Sequence, residues 1–289
     1  MFESDVETTV SSAKETVIIS RKGPVVMIGE RINPTGRERL MDALERDDMS
    51  IVQKDAIAQV QAGAAILDVN AGVPGADEPR LLVHIIEAVR EVTDAPLCFD
   101  SNNPEALRQA LQAYDGKALI NSVNGEEESL QNILPLVKEY GAAVIGLAMD
   151  DDGIPATAEG RFQVARKIVS RADEVGIPQE DVIIDPLVLT VGASTKAPQV
   201  TLEATCLTAR ELGVNITMGA SNVSHGLPNR AALNASFLSM AIACGLSCPI
   251  TNPLVRSIRE AILASNLLMG HDEWAMQWIQ YCRENDRLS

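Results

Sequence analysis

The sequence contains no apolar run near the roughly 18 to 20 residues that a membrane-spanning helix needs. Its opening stretch, MFESDVETTVSSAKET, lacks the basic start and apolar segment of a secretory leader. A soluble, cytoplasmic protein with no membrane partner is predicted. Basic residues are scarce: 24 Lys and Arg stand against 40 Asp and Glu, leaving a net charge of −16. A field of that sign repels a phosphate backbone, which argues against nucleic acid as a primary partner. The five cysteines, Cys98, Cys206, Cys244, Cys248 and Cys282, include no CxxC pair, so reduced thiols are expected. Cys244 and Cys248 are four apart, but no nearby His or Cys completes a four-ligand set, and no bound metal is expected. Low-complexity stretches and blocks of like charge are missing too, so nothing marks an internal domain boundary.

What remains is a chain of 289 residues, 46% hydrophobic and 22% charged, which can bury a sizeable core. Eight short apolar runs recur: 25–29 (VVMIG), 65–69 (AILDV), 97–100 (LCFD), 118–121 (ALIN), 143–147 (AVIGL), 181–185 (DVIID), 215–219 (NITMG) and 248–251 (CPIT). Helix-length segments with three- and four-residue apolar spacing separate them, among them 78–92, 104–113 and 158–174. Strands this apolar are covered on both faces, and eight of them alternating with helices predict a parallel (β/α)8 barrel, an α/β fold of about 250 residues. An open doubly wound sheet is disfavoured because no GxGxxG or GxxxxGK[ST] loop follows any strand. The whole of 1–289 reads as one domain, with an extension over 1–24, the barrel over 25–270 and a C-terminal helix over 271–289. In the extension, Thr16–Arg21 and Val25–Val26 around Lys22 and Gly23 read as a hairpin plugging the barrel bottom. The last helix is expected to put Trp274, Trp278 and Tyr281 on one face, against the barrel or a twin subunit.

In a parallel barrel the chemistry sits where strands end. Here they end in Glu30-Arg31-Ile32-Asn33, Asp68-Val69-Asn70, Asp100-Ser101-Asn102-Asn103, Asn121-Ser122, Met149-Asp150, Asp185-Pro186 and Ser221-Asn222-Val223-Ser224. Any one of these Asp, Asn or Ser residues could be an ordinary helix cap. Several attached directly to apolar strand residues are harder to explain so, because each polar group left unpaired at a buried rim costs about 1–3 kcal/mol. A polar ligand is implied. The set is rich in carboxylates and amides, with Arg31 and Arg230 the main cations, and it lacks the glycines and multiple cations a phosphate would want. A neutral heterocycle suits it, such as a 2-amino-4-oxopyrimidine, whose ring N–H and amino group can both donate to one carboxylate. That describes a pterin.

Seven motifs, GERINPTG (29–36), LDVNAG (67–72), CFDSNN (98–103), LINS (119–122), IGLAMDDDGIP (145–155), IIDPLVL (183–189) and GASNVSHGLPNR (219–230), resemble, in order, those of a known family. It is the pterin-binding methyltransferases that move a methyl group between tetrahydrofolate and a corrinoid protein. The resemblance implies a TIM barrel, a homodimer and a folate lying across the strand ends. By position Asp100, Asn121 and Asp185 are similar to the pterin-holding residues, Asp68, Asn70, Ser221 and Arg230 to further pocket members, and Asn222 to the residue that hydrogen-bonds the reacting N5. His225 departs from the branch serving the corrinoid/iron-sulfur protein, which often has Gln there. The N-terminal hairpin is absent from the shortest members. The implied enzyme is a tetrahydrofolate:corrinoid protein methyltransferase, with tetrahydrofolate or 5-methyltetrahydrofolate as substrate and the corrinoid supplied by a partner protein. The direction favoured is methylcorrinoid to tetrahydrofolate in one-carbon catabolism. Its alternative is methyl donation to a corrinoid/iron-sulfur protein in acetyl-CoA synthesis. The related dihydropteroate synthases handle a pyrophosphate leaving group with basic motifs at strands seven and eight, whereas GASNVS and PITNP carry none. A non-catalytic folate-binding subunit could dispense with Asn222. Methionine synthase contains a similar folate module, but this length leaves no space for its cobalamin and homocysteine parts.

Overall fold

A computed structural model describes residues 6–286. The chain runs β1 (Thr8–Ser11), β2 (Thr16–Ile19), β3 (Ile28–Ile32), α1 (Glu38–Glu45), α2 (Ser50–Gln61), β4 (Ile66–Asn70), α3 (Glu78–Arg90), β5 (Leu97–Asp100), α4 (Pro104–Ala113) and β6 (Leu119–Asn124). It continues through α5 (Glu127–Tyr140), β7 (Ala143–Leu147), α6 (Ala158–Glu174), β8 (Val182–Asp185), α7 (Ala197–Leu212), β9 (Asn215–Ile216), α8 (Arg230–Ala243), β10 (Ile250–Thr251), α9 (Arg256–Leu268) and α10 (Met276–Asp286). Strands β3 to β9 pair in sequence order and β10 pairs with β3, all in parallel. A bridge between Gly219 and Ile250, with the Ile250 N–H donating to Met218 O at 3.0 Å, joins β9 to β10 and closes the ring. The (β/α)8 barrel predicted from the apolar runs is the fold.

Side chains alternate across a strand, so each strand serves two cores. Leu67, Val69, Phe99, Ile120, Val144 and Ile184 face outward into the layer shared with the helices. Ile28, Ile66, Cys98, Leu119, Ile145 and Ile183 face inward and fill the barrel. The next inward position on five strands is polar: Glu30, Asp68, Asp100, Asn121 and Asp185 each lie two residues beyond an inward apolar one. The barrel therefore holds an apolar layer below and a polar layer above, at the C-terminal ends of the strands. Local signals fix the helices behind them. Asn103 accepts from the N–H groups of Glu105 (3.0 Å) and Ala106 (3.4 Å) and precedes Pro104, and Thr157 accepts from Gly160 N at 3.1 Å.

The hairpin is present, in a different pairing from the one expected. Thr8–Ser11 pairs antiparallel with Thr16–Ile19, and Lys22-Gly23 lies beyond it. The turn forms because Ser12 Oγ accepts from the N–H groups of Lys14 (3.2 Å) and Glu15 (3.0 Å), a side-chain signal weaker in sequence than the glycine. Val10 and Ile19 do plug the barrel bottom, packed on the inward layer. The buried amide of Asn215 ties them down, donating to Thr8 Oγ1 at 3.0 Å and Ile19 O at 2.9 Å. The first barrel strand starts at Ile28, not Val25.

Two other expectations are corrected. Cys206 and Cys244 form a disulfide, where reduced thiols were expected; α7 and the end of α8 bring their Cα atoms to 4.5 Å across a sequence separation of 38 that spacing arguments do not see. Cys98 and Cys248 are buried inside the barrel as small hydrophobes. The C-terminal helix begins at Met276, and Trp274 falls in the preceding turn, 85% exposed, so it leaves the expected shared face to Trp278 and Tyr281, whose ring centroids lie 6.2 Å apart. Tyr281 alone of that trio is buried, under the Arg259 guanidinium. No helix among the described residues is long and apolar enough to cross a membrane.

Candidate functional site

A cavity of about 450 Å³ opens at the C-terminal mouth of the barrel, lined by the polar layer. Asp68, Asp100, Asn121, Asp185, Ser221, Asn222 and Arg230 all reach it, so seven of the eight predicted site residues share one cavity. Asn70, the eighth, does not line it. Its amide donates to Asp100 Oδ2 at 2.9 Å, and it acts on the cavity through that carboxylate. The rim groups compensate one another more than isolated strand ends suggest: Asn121 Nδ2 donates to Asp68 Oδ1 at 3.1 Å, and Asn33 Nδ2 approaches Asp100 Oδ2 at 3.4 Å. Asp185 accepts from Leu187 N at 2.7 Å, which sets the turn after β8.

Burial governs the charge of this layer. Asp68, 3% exposed, has its pKa raised to about 8, first by desolvation and then by the neighbouring Asp100 carboxylate, with the Asn121 hydrogen bond opposing. Desolvation likewise raises Asp185 to about 7, against the hydrogen bonds it accepts and the Arg161 charge. Asp100 is raised by burial as well. These carboxyls hold protons in the folded protein at pH values where the unfolded chain has lost them. Their contribution to stability is present at low pH and is lost as pH rises through the folded values of about 7 and about 8. Asp68→Asn keeps an acceptor for Asn121 and removes one such group. Between pH 7 and pH 9 the ligand-free variant should lose about 1–2 kcal/mol less unfolding free energy than the unsubstituted protein. Urea melts at the two pH values measure this, and parallel losses would refute it.

Asn222 reaches the same cavity from the turn at Ala220–Ser224 after β9, the strand next to the one that carries Asp185. It is exposed into the cavity, and among the described residues no group hydrogen-bonds its amide. Helix α8 begins at Arg230, eight residues on, so Asn222 is not its cap. Arg230 braces the turn, donating through Nη2 to Ser221 O at 2.9 Å and through Nε to Ser224 Oγ at 3.1 Å; Ser224 in turn donates to Asn234 Oδ1 at 2.6 Å.

The structure adds residues that were not among the predicted site residues. Glu30 lines the cavity, its pKa raised chiefly by burial against the pull of Arg230 and a hydrogen bond from Ser221. The signal was available: Ile28-x-Glu30 repeats the spacing of Ile66-x-Asp68 and Ile183-x-Asp185. Arg37, Asn33 and Asn252 also reach the cavity. Arg161, 1% exposed on α6, had no signal in the sequence. It donates to Pro186 O (3.0 Å), Leu187 O (2.7 Å) and Thr201 Oγ1 (3.0 Å), and so holds the loop that carries Asp185.

A polar-floored barrel mouth that combines buried acceptors with an open amide fits a heterocycle with an N–H edge. A family model described as pterin binding enzyme matches residues 29–252. The chain belongs to that family. Among curated relatives of this pterin-binding enzyme, the methylcorrinoid:tetrahydrofolate methyltransferase of Eubacterium limosum is 29% identical over 267 residues, covering 90% of this chain and 97% of that one. The methionine synthase of Mycobacterium leprae (strain TN) is 29% identical over 259 residues, and the match spans only 22% of its length. Among solved structures, the dihydropteroate synthase of Xanthomonas albilineans in complex with 7,8-dihydropteroate superposes with a TM-score of 0.68 at 19% identity, covering 90% of this chain and 98% of that one. The Vibrio fischeri ES114 enzyme gives 0.68 at 17% identity, covering 91% and 98%. At those identities the likeness is one of fold.

Proposed function

We propose that this pterin-binding enzyme is a methyltransferase acting between N5 of tetrahydrofolate and the cobalt of a separate corrinoid protein, in the direction from methylcorrinoid to tetrahydrofolate. The observation that carries this reading is the open Asn222 amide sharing one cavity with Asp68, Asp100, Asn121 and Asp185. The E. limosum relative, matched along 97% of its length, supports the reaction and its direction. Asp185, Asp100 and Asn121, with Asp68, hold the pterin edge, one ionised carboxylate accepting from ring N–H and amino group together. Asn70 sets Asp100, while Ser221 and Arg230 shape the wall beside Asn222.

In that direction the N5 lone pair attacks the methyl carbon. The carbon–cobalt bond breaks with its electron pair left on cobalt, and N5 then sheds its proton. Holding the two partners in line is the larger part of the task. Asn222 orients N5 and, in reverse, stabilises the charge developing there. An amide takes no proton, so the released one goes to Glu30, whose carboxylate shares the cavity and Ser221 with the reacting end. Glu30→Gln should cut methyl transfer about 10²-fold, within the usual range for a lost acid or base, with folate affinity unchanged. Rapid-mixing turnover beside calorimetry separates the two, and an unaltered rate would remove Glu30 from the mechanism.

The function itself is tested by mixing the protein with each of a panel of corrinoid proteins, methylated or as Co(I), with tetrahydrofolate or 5-methyltetrahydrofolate, and following cobalt absorbance. Loss of the methylcobalt spectrum with tetrahydrofolate is the expected result; silence with every corrinoid protein, despite folate binding, would leave a folate-binding subunit instead. We also propose a homodimer, supported by the large apolar side chains that α8 and the α9–α10 region leave in solvent, including Met240, Leu268 and Met276. Sedimentation at micromolar concentration tests it, and a monomer there would count against it.

A further inference from the structure

Beside the barrel mouth lies a second cleft, of about 720 Å³, between α1 and α2. The two cavities meet at Arg31 and Arg37, which line both. These guanidinium groups are held in place from below. The buried Asp55 carboxylate accepts from Arg31 Nε at 3.3 Å and from Arg37 Nη1 at 2.6 Å, and Gln59 Oε1 accepts from Arg31 N at 2.9 Å. Each guanidinium has five N–H donors, so Asp55 fixes position while leaving most donors turned elsewhere. Further out, Arg39 and Lys54 stand exposed on the cleft walls, with no ion pair among the described residues. The lining charges are four cations (Arg31, Arg37, Arg39, Lys54) against two anions (Glu38, Asp55), net +2 on a chain of −16. Across the mouth, the loop after β7 carries Asp150, Asp151 and Asp152. A ligand seated in the mouth and trailing negative charge is thus repelled on one side and attracted on the other.

We propose that this cleft binds the carboxylates of a polyglutamyl tail on the folate, so that the enzyme prefers tetrahydrofolate carrying several glutamates over the monoglutamate. The inference rests on the folate reading above and deepens it. The pterin occupies the polar floor, the rest of the molecule leaves by the mouth, and Arg31 and Arg37 at the junction meet its first carboxylates. Arg39 and Lys54 meet the added ones, where exposed pairs give modest affinity that salt screens.

Calorimetry compares tetrahydrofolate monoglutamate and triglutamate on the full chain and on a variant carrying Arg39→Glu and Lys54→Glu. A milder variant, Arg39→Gln with Lys54→Gln, guards against loss of folding. The triglutamate should bind about 5- to 20-fold tighter than the monoglutamate at low ionic strength. That advantage should vanish in the charge-reversed variant, shrink in the neutral one and fade in high salt, while monoglutamate affinity stays within about twofold throughout. Equal affinities for the two ligands overturn the subsite and leave the folate reading standing. So does a triglutamate advantage that survives both substitutions. If the variants lose turnover with a corrinoid protein yet keep the advantage, the cleft is a protein contact and the proposal fails. No binding of either folate would overturn the folate reading itself.

Discussion

Asn222→Ala is expected to slow methyl transfer by about 10²–10³-fold, the usual loss when one preorganised donor facing a reacting atom is removed. The fold should survive, because Asn222 is exposed in the cavity and its side chain supports no neighbour. The turn around it is held by others: Arg230 on Ser221 O, Ser224 on Asn234, and the Asn222 backbone N–H on Gly219 O at 3.1 Å. Folate affinity should change little, since in the proposed site the pterin edge is held by Asp185, Asp100 and Asn121 rather than by Asn222. Rapid-mixing measurements with saturating folate and corrinoid protein decide the matter, with circular dichroism confirming the fold. Turnover at the unsubstituted rate would show that Asn222 merely lines the mouth.

The second large effect is on binding. Asp185→Asn preserves an oxygen for the Leu187 N–H, the contact that shapes the loop, but replaces the other oxygen by an NH2 group that confronts the pterin's donors. Leaving buried donors unpaired costs about 1–3 kcal/mol, so tetrahydrofolate should bind about 5- to 150-fold more weakly. The same residue sets a pH dependence. With its pKa at about 7, the free carboxyl is protonated below neutrality and must ionise before it can accept two donors. Affinity should therefore rise with pH through about 7 and level off above it, by about tenfold per pH unit on the acid side. The Asn variant should bind with no such slope. Calorimetry from pH 5.5 to 8.5 reads both results, and a flat profile for the unsubstituted protein would take Asp185 out of the pterin contact.

Much of this site could be read in the sequence because a barrel turns sequence spacing directly into position. An apolar residue buried inside the ring places the residue two further on at the mouth, which is how Asp68, Asp100, Asn121 and Asp185 come together. Glu30 obeys the same rule, but its strand runs on through Arg31 and Ile32, so the strand end does not single it out. The pairing of Asn121 with Asp68, and of Asn70 with Asp100, depends on which strands are neighbours and on side-chain rotamers. The strand ends alone read as more unsatisfied than they are. Arg161 lies on α6 and the residues it steadies on the β8–α7 loop, a relation no local pattern records. The disulfide between Cys206 and Cys244 arises the same way, from two adjacent helices. At the hairpin, local pattern misled: Lys22-Gly23 is the stronger turn signal, yet Ser12 closes the loop and Asn215 receives the strands.

The apolar layer that fills the barrel beneath the mouth, backed by the plug of Val10 and Ile19, has a kinetic consequence. A ring sealed at its lower end has one door. Folate in the proposed site can leave only along the path by which it entered, and under the proposed function a corrinoid protein presenting cobalt to N5 would sit across the same opening. Docking would then act as a lid: folate would have to bind first, and its escape would slow for as long as the partner stayed. The sequence of events is dictated by the closed floor, without any moving loop.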